Sequence, residues 1–209
     1  MKKYGLGCAG ILVLLLLIVL IGGCSSYNRL VNFSQDTDAK WAQVQSQYQR
    51  RADLIPNLVQ TVSGAANFEK ETLTQVIQAR AAATQVPVNR NQAPTNPAQL
   101  EQFEAAQNQL SSALSRLLVT VERYPDLKAN ASFRDLQAEL AGTENRIAVE
   151  RMRFNESVQR YNTAVKTFPT MLFARMAGFQ PRPYFEATPG AERPPPVKFD
   201  FGTPKPAQP

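Results

Sequence analysis

The sequence predicts an all-α protein: an elongated antiparallel bundle of three long helices and a short fourth helix, behind an N-terminal membrane segment. Apolar residues recur at steps of three and four over long stretches of the 209-residue chain, as they do along one face of a helix. No segment alternates apolar and polar residues over any length, as a half-buried strand would. Prolines cluster between the periodic stretches, where they predict loops.

Residues 1–24 are predicted to be a membrane anchor or a lipoprotein signal segment. Residues 11–21 are eleven consecutive aliphatic residues, and no charged residue lies between Lys3 and Arg29. With its flanking small residues the run approaches the roughly 20 residues that cross a bilayer. Lys2 and Lys3 favour a cytoplasmic N-terminus, so the rest of the chain is expected on the non-cytoplasmic side of a bacterial membrane.

Two forms of this anchor remain open. The segment LIGGC at 20–24 resembles a bacterial lipobox, which would be cut before Cys24 and would leave a lipid on that cysteine. Alternatively the apolar run is an uncut transmembrane helix, and Cys24 is an ordinary residue at the membrane interface. Both forms tether the same domain to the same side of a membrane.

Residues 25–180 are predicted to form the helical bundle. Its first helix is expected to begin just after the anchor and to run to about residue 83. A run of apolar residues spaced like a coiled-coil stripe supports this helix: Trp41, Val44, Tyr48, Ala52, Ile55, Val59, Val62, Ala66, Leu73, Val76 and Ala83. Three prolines and three asparagines between residues 85 and 97 predict a loop after it.

Start and stop signals define the remaining elements. Asn96 followed by Pro97 predicts the start of the second long helix, which Pro125 ends. Ser132 with Asp135 three residues later is close to a capping box and predicts the start of the third, which continues to Pro169. A short helix is expected over 171–177. Residues 181–209 hold nine of the fifteen prolines and are predicted to be an extended or disordered tail.

Two polar constellations interrupt the apolar stripes. The first comprises Arg50, Arg51, Asp53 and Asn57, and the second comprises Glu144, Asn145, Arg146, Glu150, Arg151 and Asn155. Because an unsatisfied polar group near a core costs about 1–3 kcal/mol, the two are expected to face each other and pair. Such a polar layer would fix the register of the helices. Alternatively, Arg50 and Arg51 would clamp a carboxylate or phosphate of a ligand, or Asp53 and Glu150 would form an acid–base pair.

Pro56 predicts a bend in the first helix near residues 52–56. Its ring clashes with the carbonyl of Ala52 and its nitrogen carries no proton to donate to that carbonyl. Arg50, Arg51 and Asn57 lie beside this point as candidate donors to carboxylates or exposed backbone of the third helix.

Composition excludes several classes of function. The chain has no histidine, and its two cysteines, Cys8 and Cys24, both lie in the first 24 residues. Imidazole and thiolate metal ligands and Ser–His or Cys–His pairs are therefore absent from the body, so we expect no catalytic residue, no metal and no cofactor. The net charge of +6 is spread without a basic block, which argues against nucleic-acid binding.

Several blocks in a fixed order resemble the bacterial LemA family, from about residue 27 to residue 199. The most specific is W-x6-Y-Q-R-R-A-D-L-I-P-N-L-V at 41–59, and the others lie at 76–80, 111–117, 124–130, 142–151, 154–155, 161–162 and 183–187. The resemblance implies a helical bundle behind one membrane segment, with no established catalytic activity.

The sequence thus predicts a non-enzymatic, membrane-tethered scaffold or interaction protein of the cell envelope with an envelope protein as partner. The alternative is an envelope module that binds a ligand or lipid through the Arg50 and Arg51 layer. The sequence predicts no particular oligomeric state.

Overall fold

The structure is a computed structural model that describes residues 2–64, 68–89 and 91–186, with side chains described from residue 22 onward. Its elements are α1 (Lys2–Ser63), α2 (Lys70–Gln85), α3 (Pro97–Val121), α4 (Pro125–Ala129), α5 (Ala131–Lys166) and α6 (Thr170–Met176). Every regular element within these ranges is a helix, which confirms the all-α prediction.

The first helix is interrupted, so the prediction of one helix reaching residue 83 is wrong. α1 has 62 residues and ends at Ser63, Gly64 forms a turn, and α2 runs back from Lys70. Serine and glycine are both weaker helix formers than alanine. The reversal also lets α2 bury Val76 and Ala79 in the same core cluster as Ile55 of α1, which a straight rod could not do.

Within the part of the chain whose side chains are described, no helix is long and apolar enough to cross a membrane. The apolar run at 11–21 has its side chains outside the described residues, so the membrane anchor remains a prediction. The backbone of α1 is helical through this run and through Cys24, which is exposed.

Contacts between side chains give the direction of each helix. α2 lies antiparallel to α3, since Ala83 meets Gln107 at one end and Glu69, which precedes α2, meets Arg123 at the other. α5 lies antiparallel to α1, along which it packs most extensively. α1, α2, α3 and α5 therefore alternate in direction, and α2 is an element that the predicted three-helix bundle lacked.

An asparagine caps the N-terminus of α3 and of α5. The side chain of Asn96 accepts a hydrogen bond from the backbone N–H of Ala98 and caps α3, at the predicted start of that helix. Asn130 accepts one from Phe133 and caps α5. The predicted cap at Ser132 is therefore wrong by two residues. Asparagine is at least as good a cap as serine and lies directly after the five-residue α4.

The buried residues form three clusters along the bundle. One joins α2 to α1 and α3, with Leu58 and Leu117 fully buried. The second surrounds Trp41, and the third joins α5 and α6 to Leu30 of α1. α6 approaches α1 closely at Gly23, where an added Cβ would lie 2.9 Å from Cε1 of Phe173. The buried core therefore follows α1 from Leu30 to Val62.

The segment 179–186, called the strap below, has neither helix nor strand. It packs on α1 and α5, and Arg182 and Phe185 within it are buried. The packed part of the molecule therefore extends beyond the predicted boundary at residue 180. Residues 187–209 of the predicted tail lie outside the described residues.

Candidate functional site

Arg51 lies at the centre of the predicted polar layer and is only 2% exposed. Its Nη1 donates to Ser111 Oγ at 3.0 Å and to Glu144 Oε2 at 2.8 Å. Its Nη2 donates to Gln107 Oε1 at 2.5 Å. One guanidinium therefore links α1 to α3 and α5, in the fork geometry that suits arginine better than lysine.

Two neighbours extend this layer. Gln107 donates from Nε2 to the carbonyl of Ala83 at 3.3 Å, which brings α2 into the same network. The ring of Tyr48 lies under the Arg51 guanidinium, with its centroid 5.1 Å from Cζ. Burial raises the pKa of the Tyr48 hydroxyl, although the charges of Arg151 and Arg51 lower it. Arg51 thus holds four helices together and is covered by neighbouring side chains.

The other residues of the first constellation lie on the surface. Arg50 forms an exposed ion pair with Glu139 of α5 at 2.8 Å. Asp53 accepts a hydrogen bond from Gln49 of its own helix, and Asn57 is exposed. The residues nearest in sequence to Arg51 therefore do not enter the buried layer.

The second constellation divides in the same way. Glu144 reaches Arg51 and Asn145 is exposed, whereas Glu150 accepts from Arg153 of the same helix at 2.7 Å. Arg151 forms an ion pair with Glu104 of α3. Between the two constellations the structure brings together Arg51 and Glu144, while Asp53 and Glu150 each bond within their own helix.

Arg80 of α2 is a residue that sequence reasoning missed. α1 continues as a helix through Pro56, and the Ala52 carbonyl that this proline leaves without its helical donor accepts from Arg80 Nε at 2.7 Å. The donor therefore comes from the returning helix α2 and not from Arg50, Arg51 or Asn57. Arg80 belongs to the block at 76–80 that the sequence had singled out. Its contact with the Ala52 carbonyl depends on the turn after Ser63, which the sequence did not predict. The bend itself remains a prediction.

A second buried arginine lies at the strap and was also missed. Arg182 is 6% exposed and contacts both carboxylate oxygens of Asp38, at 2.6 and 3.5 Å. It also donates to Ser34 Oγ at 2.9 Å, and its guanidinium lies over the ring of Tyr161. Asp38 Oδ1 additionally accepts from the backbone N–H of Ala93 at 2.9 Å. Arg182 and Asp38 therefore join the strap, α1 and the loop after α2.

An aromatic cluster lies next to this ion pair. Trp41 is fully buried and donates from Nε1 to the carbonyl of Asn89 at 2.8 Å. The rings of Phe103, Phe154 and Phe185 lie 5.5 to 5.9 Å from its own. Trp41 is therefore a packing anchor between α1, α3, α5 and the strap.

Glu104 borders the aromatic cluster beside Arg151. Burial raises the pKa of the Glu104 carboxyl, although the Arg151 guanidinium at its side lowers it. The same guanidinium lies over the ring of Phe185, 4.5 Å from its centroid, and donates to the carbonyl of Glu186. Arg151 therefore covers the end of the strap.

A half-open groove of about 760 Å³ runs between α1 and the chain leaving α2. Gln45, Gln49, Arg50 and Asp53 line its α1 side, and 86–88 form its opposite wall. Among the described residues of the groove, Gln45 carries a buried Nε2 without a hydrogen-bond partner. This groove includes Arg50 but neither Arg51 nor Glu150, so it lies at the exposed part of the predicted layer.

Comparison with known proteins identifies the family. The family model described as the LemA family matches residues 40–199. Two magnetosome proteins, MamQ 2 of Paramagnetospirillum magneticum strain AMB-1 and MamQ of Magnetospirillum gryphiswaldense strain MSR-1, are each 26% identical over 187 residues. Each of these alignments covers 80% of this chain and 67% of the relative.

Protein LemA of Metamycoplasma hominis is 25% identical over 148 residues, which cover 71% of this chain and 63% of that protein. The match to the family model spans more than half of the sequence, including α2 to α6, the arginine layer and the strap. The chain therefore belongs to the LemA family.

Proposed function

We propose that the protein is a non-enzymatic helical scaffold of the bacterial cell envelope, tethered to a membrane at its N-terminal end. The observation that carries the proposal is the continuity of α1, in which one 62-residue helix joins the apolar N-terminal run to the bundle core. At 1.5 Å per residue this helix is roughly 93 Å long. Because α6 already packs on α1 at Gly23, a bundle built on such a helix would begin beside the surface to which the run is attached and extend away from it.

The internal pairing of the polar layer supports a structural role. Arg51 is surrounded by Ser111, Glu144 and Gln107, and Asp53 and Glu150 bond within their own helices. A general acid or base must reach a substrate proton, and the hydrogen bonds that Asp53 and Glu150 make within their own helices compete with that contact.

Membrane attachment is tested by alkaline extraction of cell membranes that contain the full chain. The proposal predicts that the protein stays in the pellet and that Leu15→Arg with Leu16→Arg releases it. Cys24→Ala is the matched control substitution, since it removes the possible site of lipid attachment but leaves the apolar run intact, and this variant should stay in the pellet. Recovery of the wild-type chain in the alkaline supernatant would contradict the tether. Mass spectrometry of the mature N-terminus then distinguishes a lipidated Cys24 from an intact Met1.

The scaffold part of the proposal requires a partner protein at the envelope. Proximity labelling from the C-terminal end should mark envelope proteins repeatedly, with a version lacking residues 1–24 as the control for location. Labelling indistinguishable from that control would count against a tethered scaffold.

The second candidate function is ligand binding in the groove beside Arg50. The half-open volume and the unpartnered Gln45 amide favour it. Arg51 is excluded from contact with such a ligand by its burial, so the binding charge would come from Arg50 after it leaves Glu139. Arg50→Ala should abolish binding of an anionic lipid headgroup without lowering thermal stability. Retained binding in that variant would reject this function.

A further inference from the structure

Two asparagines of α5 hold the backbone of the strap in the same way. Asn162 donates to the carbonyl of Arg182 and accepts from its N–H, both at 2.8 Å. Asn155 does the same with Phe185, both at 2.9 Å. Each asparagine side chain therefore takes both hydrogen-bonding groups of one strap residue, and these bonds do not depend on the identity of that residue's side chain.

The spacing of the two asparagines matches an extended peptide. Seven residues of α-helix separate them, which corresponds to a rise of about 10.5 Å. Three residues separate Arg182 from Phe185, and an extended chain covers roughly 10 Å over that number. The strap must therefore run almost fully extended along α5, in the direction opposite to that helix.

Side-chain pockets on α1 add selectivity at these same two positions. The first is acidic and polar, where Asp38 and Ser34 receive the Arg182 guanidinium. The second is aromatic, where the ring of Phe185 stacks on Trp41 and lies under Arg151. Tyr184, which lies between these two positions, is 43% exposed, so the seam does not enclose its side chain. The seam of α1 and α5 thus selects an arginine and, three positions later, an aromatic residue.

We propose that this seam is a peptide-binding site whose ligand is exchangeable, and that its partner is the strap of a second copy of this chain. Every copy carries both the seam and a segment that fits it. The strap enters through Gly178, whose φ of +78° lies in the region that glycine adopts at low cost. A change of backbone direction at this glycine would send the strap to a neighbour, as in domain swapping.

The proposal names a partner for the scaffold but does not rest on membrane attachment, because its test uses the full chain in detergent solution. One population carries Arg182→Ala with Phe185→Ala, which leaves a seam without a matching strap. The other carries Asn155→Ala with Asn162→Ala, which leaves a strap without its clamps. The two populations carry different affinity tags, and retention of the helical circular dichroism signal is checked for each.

Capture of one tagged population by the other is the expected result. A mixture of the two variants should form heterodimers by pull-down and sedimentation, at least about tenfold more than either variant alone, because only the mixture pairs an intact seam with an intact strap. Association in the mixture no greater than in the separate variants would overturn the proposal.

A second measurement decides the question if either double variant loses its helical signal. A fluorescent peptide of residues 179–187 is titrated onto the wild-type chain, with the peptide carrying alanine in place of its arginine and last phenylalanine as the matched control. Saturable binding that is at least about tenfold tighter than that of the control supports an exchangeable strap. Equal binding of the two peptides, or none, rejects it.

Discussion

The two buried arginines, Arg51 and Arg182, perform the same task in different surroundings. Both are at least 94% buried and both contact a carboxylate. The carboxylate side chain beside Arg51, Glu144, is 56% exposed, whereas Asp38 beside Arg182 is 14% exposed. Arg51 joins helix to helix mainly through neutral groups, and Arg182 ties a segment without helix or strand to α1 through a buried ion pair.

The difference predicts which arginine the fold needs more. If Arg51 is lost, water can solvate Glu144, and the remaining partners are a neutral amide and a hydroxyl. If Arg182 is lost, Asp38 retains its charge where little water reaches it, with the N–H of Ala93 as its remaining partner among the contacts described above. Removing one member of a buried pair costs more than removing an arginine whose counter-charge is solvated.

Arg182→Met should therefore have the largest effect. We expect a loss of about 3–5 kcal/mol in the free energy of unfolding, which corresponds to a fall of roughly 10 °C in Tm for a chain of this size. Thermal denaturation followed by circular dichroism measures it. Arg160→Met removes an exposed pair with Asp36 and is the matched control, with an expected cost below about 1 kcal/mol. Equal effects of the two substitutions would contradict a special role for the buried pair.

Arg51→Met should have a smaller effect, about 1–3 kcal/mol, because the loss is confined to hydrogen bonds with Gln107 and Ser111 and a pair with solvated Glu144. Chemical denaturation measures it against Arg50→Met, which removes an exposed pair with Glu139. A cost for Arg51→Met that exceeds the cost for Arg182→Met would break the comparison between the two sites.

Arg80→Met tests the support of α1 next to the Arg51 layer. The substitution leaves the Ala52 carbonyl without the donor that replaces the missing N–H of Pro56, at a cost of about 1–3 kcal/mol. In a Pro56→Ala background the alanine N–H can donate to that carbonyl, so the same substitution should cost about 1 kcal/mol less. A double-mutant cycle by denaturant titration measures this coupling. If the effects of the two substitutions on the free energy of unfolding are strictly additive, Arg80 does not stabilise α1 through the Ala52 carbonyl.

Glu104→Gln should have the smallest effect, and the effect depends on pH. Because the folded-state pKa of Glu104 is raised above its ordinary value of 4.5, the folded chain holds this proton more tightly than the unfolded chain does. The stabilisation of the fold that comes from this tighter proton binding is fully present below the unfolded-state pKa. It is lost as pH rises through the folded-state pKa. As pH is lowered from 7 to 4, the Tm of the wild type should therefore rise relative to that of Glu104→Gln. A difference in Tm that is constant over this range would contradict the raised pKa.

Local signals in the sequence predicted helix type and several helix ends. The periodic apolar residues identified α3 and α5, and Asn96 with Pro97 gave the start of α3 because capping depends on neighbouring residues alone. The turn after Ser63 was missed because the apolar stripe resumes at Leu73, so the pattern does not distinguish a rod from a hairpin. That choice depends on contacts with α3, far away in sequence.

The candidate site was predicted less completely, for the same reason. Arg51 and Glu144 were both named, but their partner Gln107 lies on a stretch of α3 with no signal of its own, and Ser111 appeared only as the first residue of the block at 111–117. The strap was interpreted as a tail because its prolines argue against helix. One signal was present: an aromatic residue followed by asparagine occurs twice in α5, at 154–155 and 161–162, which are about two helical turns apart.

Because α1 is unbroken, it fixes the distance between the N-terminal run and the bundle. It also fixes the rotation of one relative to the other about the helix axis. Successive residues of a helix turn by about 100° around its axis, so the azimuth of residue 2 is coupled to the azimuth of every residue up to Ser63. One alanine inserted between Asn28 and Arg29 would lengthen the rod by only about 1.5 Å, but it would rotate everything before it by roughly 100°. The first helix therefore determines which side of the bundle, the groove or the strap, faces a given neighbour.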